Sequence, residues 1–354
     1  MKYAKKRLLL PLILLAVLAP LVLAVKTFAQ SPTGYDVTVS PIFFDLTANP
    51  GDTINTKIRI RNNTTSPIPV KLGVQKLTGD TNGNLILKQD ATDPTLAWFN
   101  FGNNSVVTKP LEWVDIPLTI TIPKDAAYGY YWTITFTQDN TSPLAKQGVA
   151  LTGAAGVPVL LNVKKAGAKA EAKIVSFSTT NYIMEYLPVD FAVKVANTGN
   201  IHIKPHGSIF ISDGLNKDLA ILDVNPGQGN IIPDSSRIFN TSWSDGFLVR
   251  EPVMIGGQAQ FDKKGNPVEK VQINWNKLTE FRIGKYTANL LLVFDNGTRD
   301  IPLQSTLTFW VFPWKVALGG IIALVIVIFA IRFIIKSYIK RELNKRIKAS
   351  DIKT

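Results

Sequence analysis

Residues 54–61 read Ile-Asn-Thr-Lys-Ile-Arg-Ile-Arg, and the alternation in this stretch decides the fold class. Successive side chains of a β-strand point to opposite faces of a sheet, so a period of two predicts a strand with one buried face. The same period returns in residues 70–74 and 116–122, and turn signals such as Asn49-Pro50-Gly51-Asp52 separate these stretches. Short strands between frequent turns predict an all-β fold built as an antiparallel sandwich.

The alternating pattern is interrupted at residues 164–173, which read Lys-Lys-Ala-Gly-Ala-Lys-Ala-Glu-Ala-Lys. This stretch lacks large apolar side chains and therefore predicts a linker between two domains. Beyond it, residues 189–195 and 286–294 alternate again. The sequence predicts two immunoglobulin-like antiparallel β-sandwich domains, at residues 35–163 and 174–311, which follow a weakly duplicated order of strand, Asn-rich turn and strand.

A long apolar stretch follows the second predicted sandwich. Residues 316–330 carry no charged side chain, and a helix over residues 314–335, at about 1.5 Å rise per residue, spans a hydrocarbon core of roughly 30 Å. We predict a transmembrane helix there, with a buried core helix as the alternative. Its predicted membrane anchors are Trp310, Phe312, Trp314, Arg332, Lys336, Lys340 and Arg341.

The two ends of the chain predict its topology. Residues 336–354 are rich in Lys and Arg, which stay on the cytoplasmic side of a membrane, and we expect this basic tail to contact anionic lipid. At the N-terminus, basic residues precede the apolar residues 8–23, and a small residue follows at Ala24 and at Ala29. We predict a signal peptide over residues 1–29, with an uncleaved anchor as the alternative. The protein is then a single-pass protein of the cell membrane, with an extracytoplasmic N-terminal ectodomain and a cytoplasmic C-terminus.

The net charge of +13 is mostly located at these two ends. Five of the 39 basic residues lie in the leader and eight in residues 332–354, which leaves 26 basic against 24 acidic residues in residues 27–331. The basicity is therefore topological, and a nucleic-acid partner is not expected. The absence of cysteine from the sequence excludes disulfides, thiolate catalysis and Cys-ligated metal.

No catalytic motif stands out in the sequence. The two histidines, His202 and His206, are separated by Pro205 in a stretch that predicts extended chain, so a helical zinc pair is not expected. Asp80, Asn82 and Asn84 alternate as in a calcium loop, but a hairpin turn is the better interpretation. We expect no metal, no cofactor and no enzyme activity. A glycan-acting enzyme is a remote alternative, because two carboxylates distant in sequence can meet in space.

Aromatic and basic residues of the first domain are the candidate ligand contacts. Rings near loops or on an outward strand face could stack on sugars, and a basic strip could face an anionic wall polymer. The alternatives are that the loop aromatics close the end of the sandwich and that the basic strip is an ordinary solvated face. The candidates are Trp98, Phe99, Trp113 and Tyr131 for stacking, and Lys57, Arg59 and Arg61 for charge.

Two segments of the first domain carry a resemblance to a known family. They are Val39-Ser40-Pro41 through Asn62-Asn63, and Ile122-Pro123-Lys124-Asp125-Ala126-Ala127 with Gly129-Tyr130-Tyr131. The chain resembles the WxL-interacting surface proteins of Gram-positive bacteria, most clearly over residues 40–165 and in its overall layout. The resemblance implies a secretion signal, a peptidoglycan-binding immunoglobulin-like domain, a second β-domain and one membrane helix.

The sequence thus predicts a membrane-anchored binding or adhesion protein of the cell surface. Its expected partners are membrane lipid, through the C-terminal helix and basic tail, and cell-wall polymer or surface proteins, through the ectodomain. The alternative is an anchored scaffold or chaperone-like assembly factor for secreted or pilus-like structures.

Overall fold

The computed structural model describes residues 35–351, apart from residues 89, 140, 142–153 and 216, and describes only the backbone of residues 342–351. The predicted signal peptide at residues 1–29 and the last three residues of the tail lie outside the described residues. The chain forms two compact units. The first comprises residues up to Thr78 together with Ile86–Gly167, and the second comprises Gly79–Leu85 together with the chain from Ala168.

The strands β1 to β10 form the first sandwich. One sheet has the order β1-β3-β8-β6 and the other has the order β2-β10-β9-β4-β5, with β7 paired to β4. This is the arrangement of an immunoglobulin-like sandwich. The strands are β1 Val37–Ser40, β2 Phe44–Ala48, β3 Thr53–Asn62, β4 Ile68–Gly79, β5 Leu85–Lys88, β6 Phe99–Asn100, β7 Ser105–Thr108, β8 Trp113–Thr121, β9 Tyr128–Gln138 and β10 Ala154–Val163.

The first two strands belong to different sheets. Strand β1 pairs antiparallel with β3, and β2 pairs parallel with β10. Pro41 follows β1 directly and has no backbone N–H to donate, which suits the point at which the chain leaves the first sheet. The edge strand of the second sheet is therefore parallel to its neighbour, unlike that of the first sheet.

The period of two in residues 54–61 builds the core of the first unit. Ile58 and Ile60 are fully buried, whereas the neighbouring Lys57 and Arg59 are exposed. Across the sandwich, Trp132, Ile134 and Phe136 of β9 are buried to 1% exposure or less. Burying such side chains stabilises the fold by roughly 1.5–3 kcal/mol each.

The strands β11 to β22 belong to the second unit. Its two main sheets have the orders β11-β13-β16 and β12-β22-β21-β14-β15. Strand β12 runs parallel to β22, as β2 does to β10 in the first unit. The strands are β11 Ala172–Thr179, β12 Ile183–Met184, β13 Val189–Asn197, β14 His206–Asp213, β15 Asp218–Val224, β16 Ser236–Trp243, β17 Leu248–Pro252, β18 Met254–Ile255, β19 Gln258–Ala259, β20 Glu269–Ile273, β21 Gly284–Asp295 and β22 Asp300–Val311.

Aromatic rings fill the centre of the second sandwich. Trp243 and Phe309 are fully buried and Phe191 is 1% exposed. The Phe309 ring lies 5.6 Å from Phe191 and 6.1 Å from Trp243, both edge-on. Edge-to-face contacts of this kind contribute about 0.5–1.5 kcal/mol beyond the area that they bury.

A buried asparagine holds the same place in both units, at the end of β3 in the first and at the end of β13 in the second. Asn62 donates its side-chain amide to the carbonyl oxygens of Ser66 and Thr108, at 2.7 and 3.3 Å. Asn197 donates to the carbonyl oxygens of Ile201 and Ile231, each at 2.8 Å. In both units the asparagine Oδ1 accepts the N–H of the residue two positions later. The Asn-rich turns that the two halves share are therefore built in the same way.

Residues 244–283, which we call the arm, connect β16 to β21 in the second unit. Within the arm, β17 pairs with β20 and β18 pairs with β19, and a 3-10 turn covers Trp275–Glu280. Strand β16 ends at Trp243, and β21 begins at Gly284, which pairs with Val311. Both ends of the arm therefore lie at the end of the sandwich from which the C-terminal helix continues.

The helix α1, Trp314–Asp351, follows β22 after two residues. Its Trp314–Arg341 portion is long and apolar enough to cross a membrane, with a mean hydropathy of 2.9 over its most apolar window, none of which is buried. The backbone N–H of Phe312 donates to the carbonyl oxygen of Met184 at 2.7 Å, which fixes the start of the helix to β12. The predicted fold class, two immunoglobulin-like β-sandwiches followed by one apolar C-terminal helix, is confirmed.

Candidate binding surface

The basic strip predicted on β3 lies on an exposed sheet face, where it meets residues of β8. Arg59 pairs with Asp115 across the two strands, and Arg61 pairs with Trp113. The Asp115 carboxylate accepts a hydrogen bond from the Lys57 Nζ at 2.7 Å and from the Arg59 Nε at 2.9 Å. We call this surface, made by Lys57, Arg59, Arg61, Trp113 and Asp115, the β3–β8 face.

Asp115 changes the electrostatics of the β3–β8 face. The hydrogen bond from Lys57 lowers the pKa of the Asp115 carboxyl below its ordinary 3.8, and the hydrogen bond from Arg59 lowers it further. The carboxylate is therefore charged at neutral pH and offsets one of the three cations. The face is a mixed surface with a formal excess of two positive charges, and not the purely basic strip expected from β3 alone.

Trp113 gives the β3–β8 face an aromatic element. Its side chain is 39% exposed, and the Arg59 guanidinium carbon lies 5.0 Å from the ring centroid. The cation–π contact holds the ring on the sheet surface. Next to this ring the face offers N–H donors and carboxylate acceptors, which is the combination that binds sugar hydroxyls.

Trp98 and Phe99 occupy a different place, in an aromatic cluster at one end of the first sandwich. Both are half-buried. The Trp98 ring lies 4.6 Å from Tyr130 and 5.5 Å from Trp132, and Phe99 lies 4.9 Å from Trp132. These contacts favour the alternative in which the loop aromatics close the end of the sandwich.

A hydrogen-bonded network holds this aromatic cluster. Asp93 caps the 3-10 turn Pro94–Trp98 by accepting the N–H of Thr95 at 2.9 Å, and the Lys76 Nζ lies 2.7 Å from its other oxygen. The Thr95 hydroxyl accepts the indole N–H of Trp132 at 2.8 Å. Burial raises the pKa of Asp93, but the hydrogen bonds from Lys76 and Thr95 outweigh it, so that this pKa lies below 3.8.

Tyr131 faces away from the core, on the side opposite to Trp132, as predicted from the alternation. It is half-buried, its strand neighbour Thr133 is 5% exposed, and its partner on β10, Leu160, is 6% exposed. Its outward side is therefore more covered than the alternation alone indicates. A ligand contact by Tyr131 stays a prediction.

Strand β5 is an exposed edge that the sequence reasoning did not identify. It pairs with β4 and ends the order of its sheet, and all four of its residues are exposed. Leu85, Ile86 and Leu87 are 60%, 45% and 47% exposed. The signal in the sequence is three successive apolar residues directly after the Asn82-Gly83-Asn84 turn, where a half-buried strand would alternate.

The second unit has a shallow groove on the outer face of the sheet β11-β13-β16. Its volume is about 590 Å³. Most of the side chains that line it are small, and the Ser242 hydroxyl donates to the Asp190 carboxylate. The lining consists of Ser178, Thr179, Thr180, Asp190, Phe191, Ala192, Asn240, Thr241 and Ser242. No sequence motif pointed to this groove, because its residues come from three strands.

The predicted membrane anchors surround the start of α1 and continue along it. Trp310, Phe312 and Trp314 are 50%, 47% and 51% exposed, and Lys315 forms an ion pair with Glu185 at 2.9 Å. The basic anchors Arg332, Lys336, Lys340 and Arg341 all lie on the exposed helix. The helix is thus a candidate membrane span with aromatic residues at its beginning and basic residues towards its end.

The residues considered for metal binding are separate from one another. Within the part of the chain that the structure describes, no group of three or more His, Cys, Asp or Glu side chains could hold a metal ion. His202 is 8% exposed, whereas His206 is exposed at the start of β14. Asp80 accepts the backbone N–H groups of Asn82 and Asn84 at 2.8 Å each, which is the predicted hairpin turn.

Comparisons with known proteins do not assign a function to this chain. No protein-family model and no curated protein match the sequence. Similar solved structures include the class 5 fimbriae chaperone CfaA (13% identity, covering 78% of this chain and 100% of that one, TM-score 0.34). They also include the CsuC-CsuE chaperone and tip adhesion subunit complex of Acinetobacter baumannii (12%, 76% and 97%, 0.34) and a PapD-like domain of human CEP192 (14%, 38% and 89%, 0.25). At such low identity the likeness concerns the fold alone, and the resemblance to the WxL-interacting proteins stays a prediction.

Proposed function

We propose that this chain is a membrane-anchored protein whose two β-sandwich units lie outside the cell and bind cell-wall polymer or surface proteins. The observation that carries the proposal is the apolar helix α1, which continues from the last strand of the second sandwich after only Phe312 and Pro313. An apolar helix that no described part of its own chain covers is stable in lipid. The basic residues that follow its apolar part support a cytoplasmic C-terminus.

Protease treatment of intact cells tests the anchoring. A chain with epitope tags inserted after residue 31 and at the C-terminus should lose the first tag and keep the second. Lysed cells provide the control, since both tags should then be digested. Digestion of the C-terminal tag in intact cells, or recovery of the protein without membrane, would contradict the proposed topology.

The β3–β8 face is the proposed wall-binding surface of the first unit. It combines an exposed indole ring, a formal excess of positive charge and hydrogen-bond donors beside acceptors, and each of these suits an anionic glycan. The Lys57 and Arg59 side chains are themselves held by Asp115, so little side-chain entropy is lost on binding.

Retention on purified cell-wall sacculi tests this surface. Trp113→Ala and Arg59→Ala should each lower retention several-fold, and removal of the anionic polymers from the sacculi should lower it for the unchanged chain. Arg237→Ala is a matched control in the second unit, because Arg237 lies 5.7 Å from the Phe239 ring in a similar cation–π contact. Equal retention of all three variants would remove the β3–β8 face from the proposal.

The edge strand β5 supports a second candidate function, which is the capture of a protein partner by strand addition. An exposed edge offers unpaired backbone N–H and C=O groups, and the apolar Ile86 and Leu87 add side-chain contacts. This would suit an anchored scaffold or assembly factor. Ile86→Lys should abolish capture of detergent-solubilised envelope proteins and leave retention on sacculi unchanged. Capture that survives both Ile86→Lys and Leu87→Pro would exclude this edge.

A glycan-acting enzyme receives no support from the carboxyl groups. The general acid of a glycosidase needs a raised pKa. Each aspartate with a resolved shift among the described residues has a lowered pKa instead, Asp115 and Asp93 among them, because it accepts hydrogen bonds or pairs with a cation. A binding role is consistent with these charged carboxylates.

A further inference from the structure

Apolar exposure in the second unit is concentrated in the arm. Ten large apolar side chains are exposed within residues 244–283. The rest of the second sandwich, at residues 168–243 and 284–309, is more than twice as long as the arm but exposes only six large apolar side chains among its described residues. The side chains of the arm that expose half of their surface or more are Met254, Ile255, Phe261, Trp275, Leu278 and Ile283. A soluble surface rarely carries so much exposed apolar area in one segment, so the arm needs a covering partner.

Strand register places the arm beside the start of α1. The arm returns to the sandwich at Gly284, which pairs with Val311, and α1 begins three residues after Val311. Neighbouring strands are about 4.8 Å apart, so the base of the arm lies within one strand spacing of the chain that enters the helix. The arm thus occupies the end of the sandwich that faces the membrane when α1 spans it.

Aromatic rings connect the helix start with the arm. Phe281 lines a small recess together with Val311 and Pro313, directly before α1. The Phe247 ring lies 6.0 Å from Phe281 and 5.7 Å from Trp275. Trp275 is 72% exposed. This row of rings continues the exposed aromatics at the helix start, and such rings are typical of the membrane–water interface.

The charges of the arm favour apolar contact over electrostatic attraction. Residues 244–283 contain six basic and five acidic residues, a formal excess of one. Several of them neutralise one another at the base of the arm: Arg250 pairs with Glu269 at 3.2 Å, and Asp245 pairs with Lys277. A partner recognised by this surface is therefore apolar at the contact and needs no net charge.

We propose that the arm binds the lipid surface of the membrane that α1 crosses, with the exposed side chains of β18–β19 and of the Trp275–Glu280 turn in the headgroup–acyl boundary. The proposal rests on the proposed membrane anchoring. Lipid is the occupant that the placement favours, because the arm adjoins the helix start and continues its aromatic surface. Apolar faces that lie in this boundary are buried to a depth of about 5–10 Å, and the side chains of a hairpin tip can reach that depth. The second sandwich would then be held at the bilayer by two contacts, the helix and the arm.

The absence of cysteine from the sequence makes a site-specific test direct. The single-cysteine variants I255C and L278C of the full chain are each labelled with an environment-sensitive fluorophore. They are then reconstituted into nanodiscs of neutral phosphatidylcholine that contain nitroxide-labelled lipid. I221C is the matched control, since Ile221 is 64% exposed and Ile255 is 63% exposed. Ile221 pairs with Phe210, which pairs with Asn289, five residues and roughly 17 Å along β21 from Gly284. I326C, on an exposed helix position, reports whether α1 is in the bilayer.

We expect the nitroxide lipid to lower the fluorescence at I255C and L278C at least about twofold and to leave I221C unchanged. Quenching at I326C without quenching at either arm position would overturn the arm proposal and leave the anchoring intact. No quenching at I326C would overturn the anchoring itself. Protection of the arm labels from aqueous iodide without quenching by lipid would show a protein cover, either a second copy or another chain, and would also overturn the proposal.

Discussion

The two sandwich units follow one strand scheme but differ in one connection. In the first unit, residues 122–127 join β8 to β9, and Ile122 and Ala126 of this turn are buried in the core. In the second unit, the corresponding strands β16 and β21 are joined by the arm, whose large apolar side chains are mostly exposed. Connections lie at the ends of a sandwich and accept insertions without changing the strands. The same fold therefore carries a compact turn in one unit and an additional surface, at the helix-bearing end, in the other.

The strongest test of the shared scheme uses the buried asparagines Asn62 and Asn197. We expect Asn62→Ala and Asn197→Ala each to lower the free energy of unfolding by about 2–4 kcal/mol, because each change removes two side-chain hydrogen bonds of a buried amide, one of them to a buried carbonyl oxygen. Urea denaturation of the detergent-solubilised chain measures both. Asn63→Ala is the control, since Asn63 bonds to Asp36 and Thr38 from a less buried position and should cost about 1 kcal/mol. A cost at Asn197 no larger than at Asn63 would show that the two units are not equivalent here.

The core tryptophans sharpen the comparison. The Trp132 indole N–H donates to the Thr95 hydroxyl, whereas the Trp243 indole N–H has no hydrogen-bond partner among the described residues. Both Trp→Phe changes remove volume from a core, but Trp132→Phe should cost about 1 kcal/mol more in unfolding free energy than Trp243→Phe. In a Thr95→Val background this additional cost should disappear. If the additional cost of Trp132→Phe is the same in both backgrounds, the difference between the two tryptophans is due to packing alone.

The sandwich fold could be predicted from the sequence because its information is local. Ile58 and Ile60 are buried and Lys57 and Arg59 exposed, as a period of two requires. For the β3–β8 face, the basic residues of β3 could be predicted, but their pairing with Asp115 could not. This pairing joins Arg59 to a residue 56 positions away in sequence and depends on strand register.

The arm shows a second limit of the alternating pattern. Val271 and Ile273 alternate with polar residues on β20 as in a half-buried strand, yet every residue of β20 is exposed. The period of two indicates that one face of this strand needs an apolar environment. It does not indicate whether the protein or another phase provides that environment.

The pH dependence of stability should differ between the two units, because one aspartate in each has a lowered pKa. The side chain of Asp93 is 5% exposed, and that of Asp245, which pairs with Lys277 at the base of the arm, is 42% exposed. The hydrogen bond from Lys277 lowers the pKa of Asp245, and the pKa of Asp93 is also lowered. A lowered pKa stabilises the folded state above the unfolded pKa, near 3.8, and this stabilisation is lost as the pH falls through the folded pKa.

We therefore expect the free energy of unfolding to decrease as the pH is lowered below about 4. Asp93→Asn should remove more of this pH dependence than Asp245→Asn, because solvent screens the exposed ion pair of Asp245. Denaturation midpoints between about pH 2 and 5 measure it. A larger change of slope in Asp245→Asn would contradict the assignment of the buried network to Asp93.

The smallest effect on stability is expected for a substitution of Asp115. The same substitution should have an informative effect on binding. Asp115→Asn should leave the thermal unfolding temperature unchanged, because the carboxylate and its partners Lys57 and Arg59 are exposed to solvent. It should strengthen retention on sacculi at low salt, since it leaves three cations without an opposing charge, and the gain should shrink once the Debye length falls to about 10 Å near 0.1 M salt. Asp190→Asn, on β13 of the second unit, changes the net charge of the chain equally and should leave retention as it was. If Asp190→Asn strengthens retention as much, the attraction belongs to the charge of the whole chain and not to the β3–β8 face.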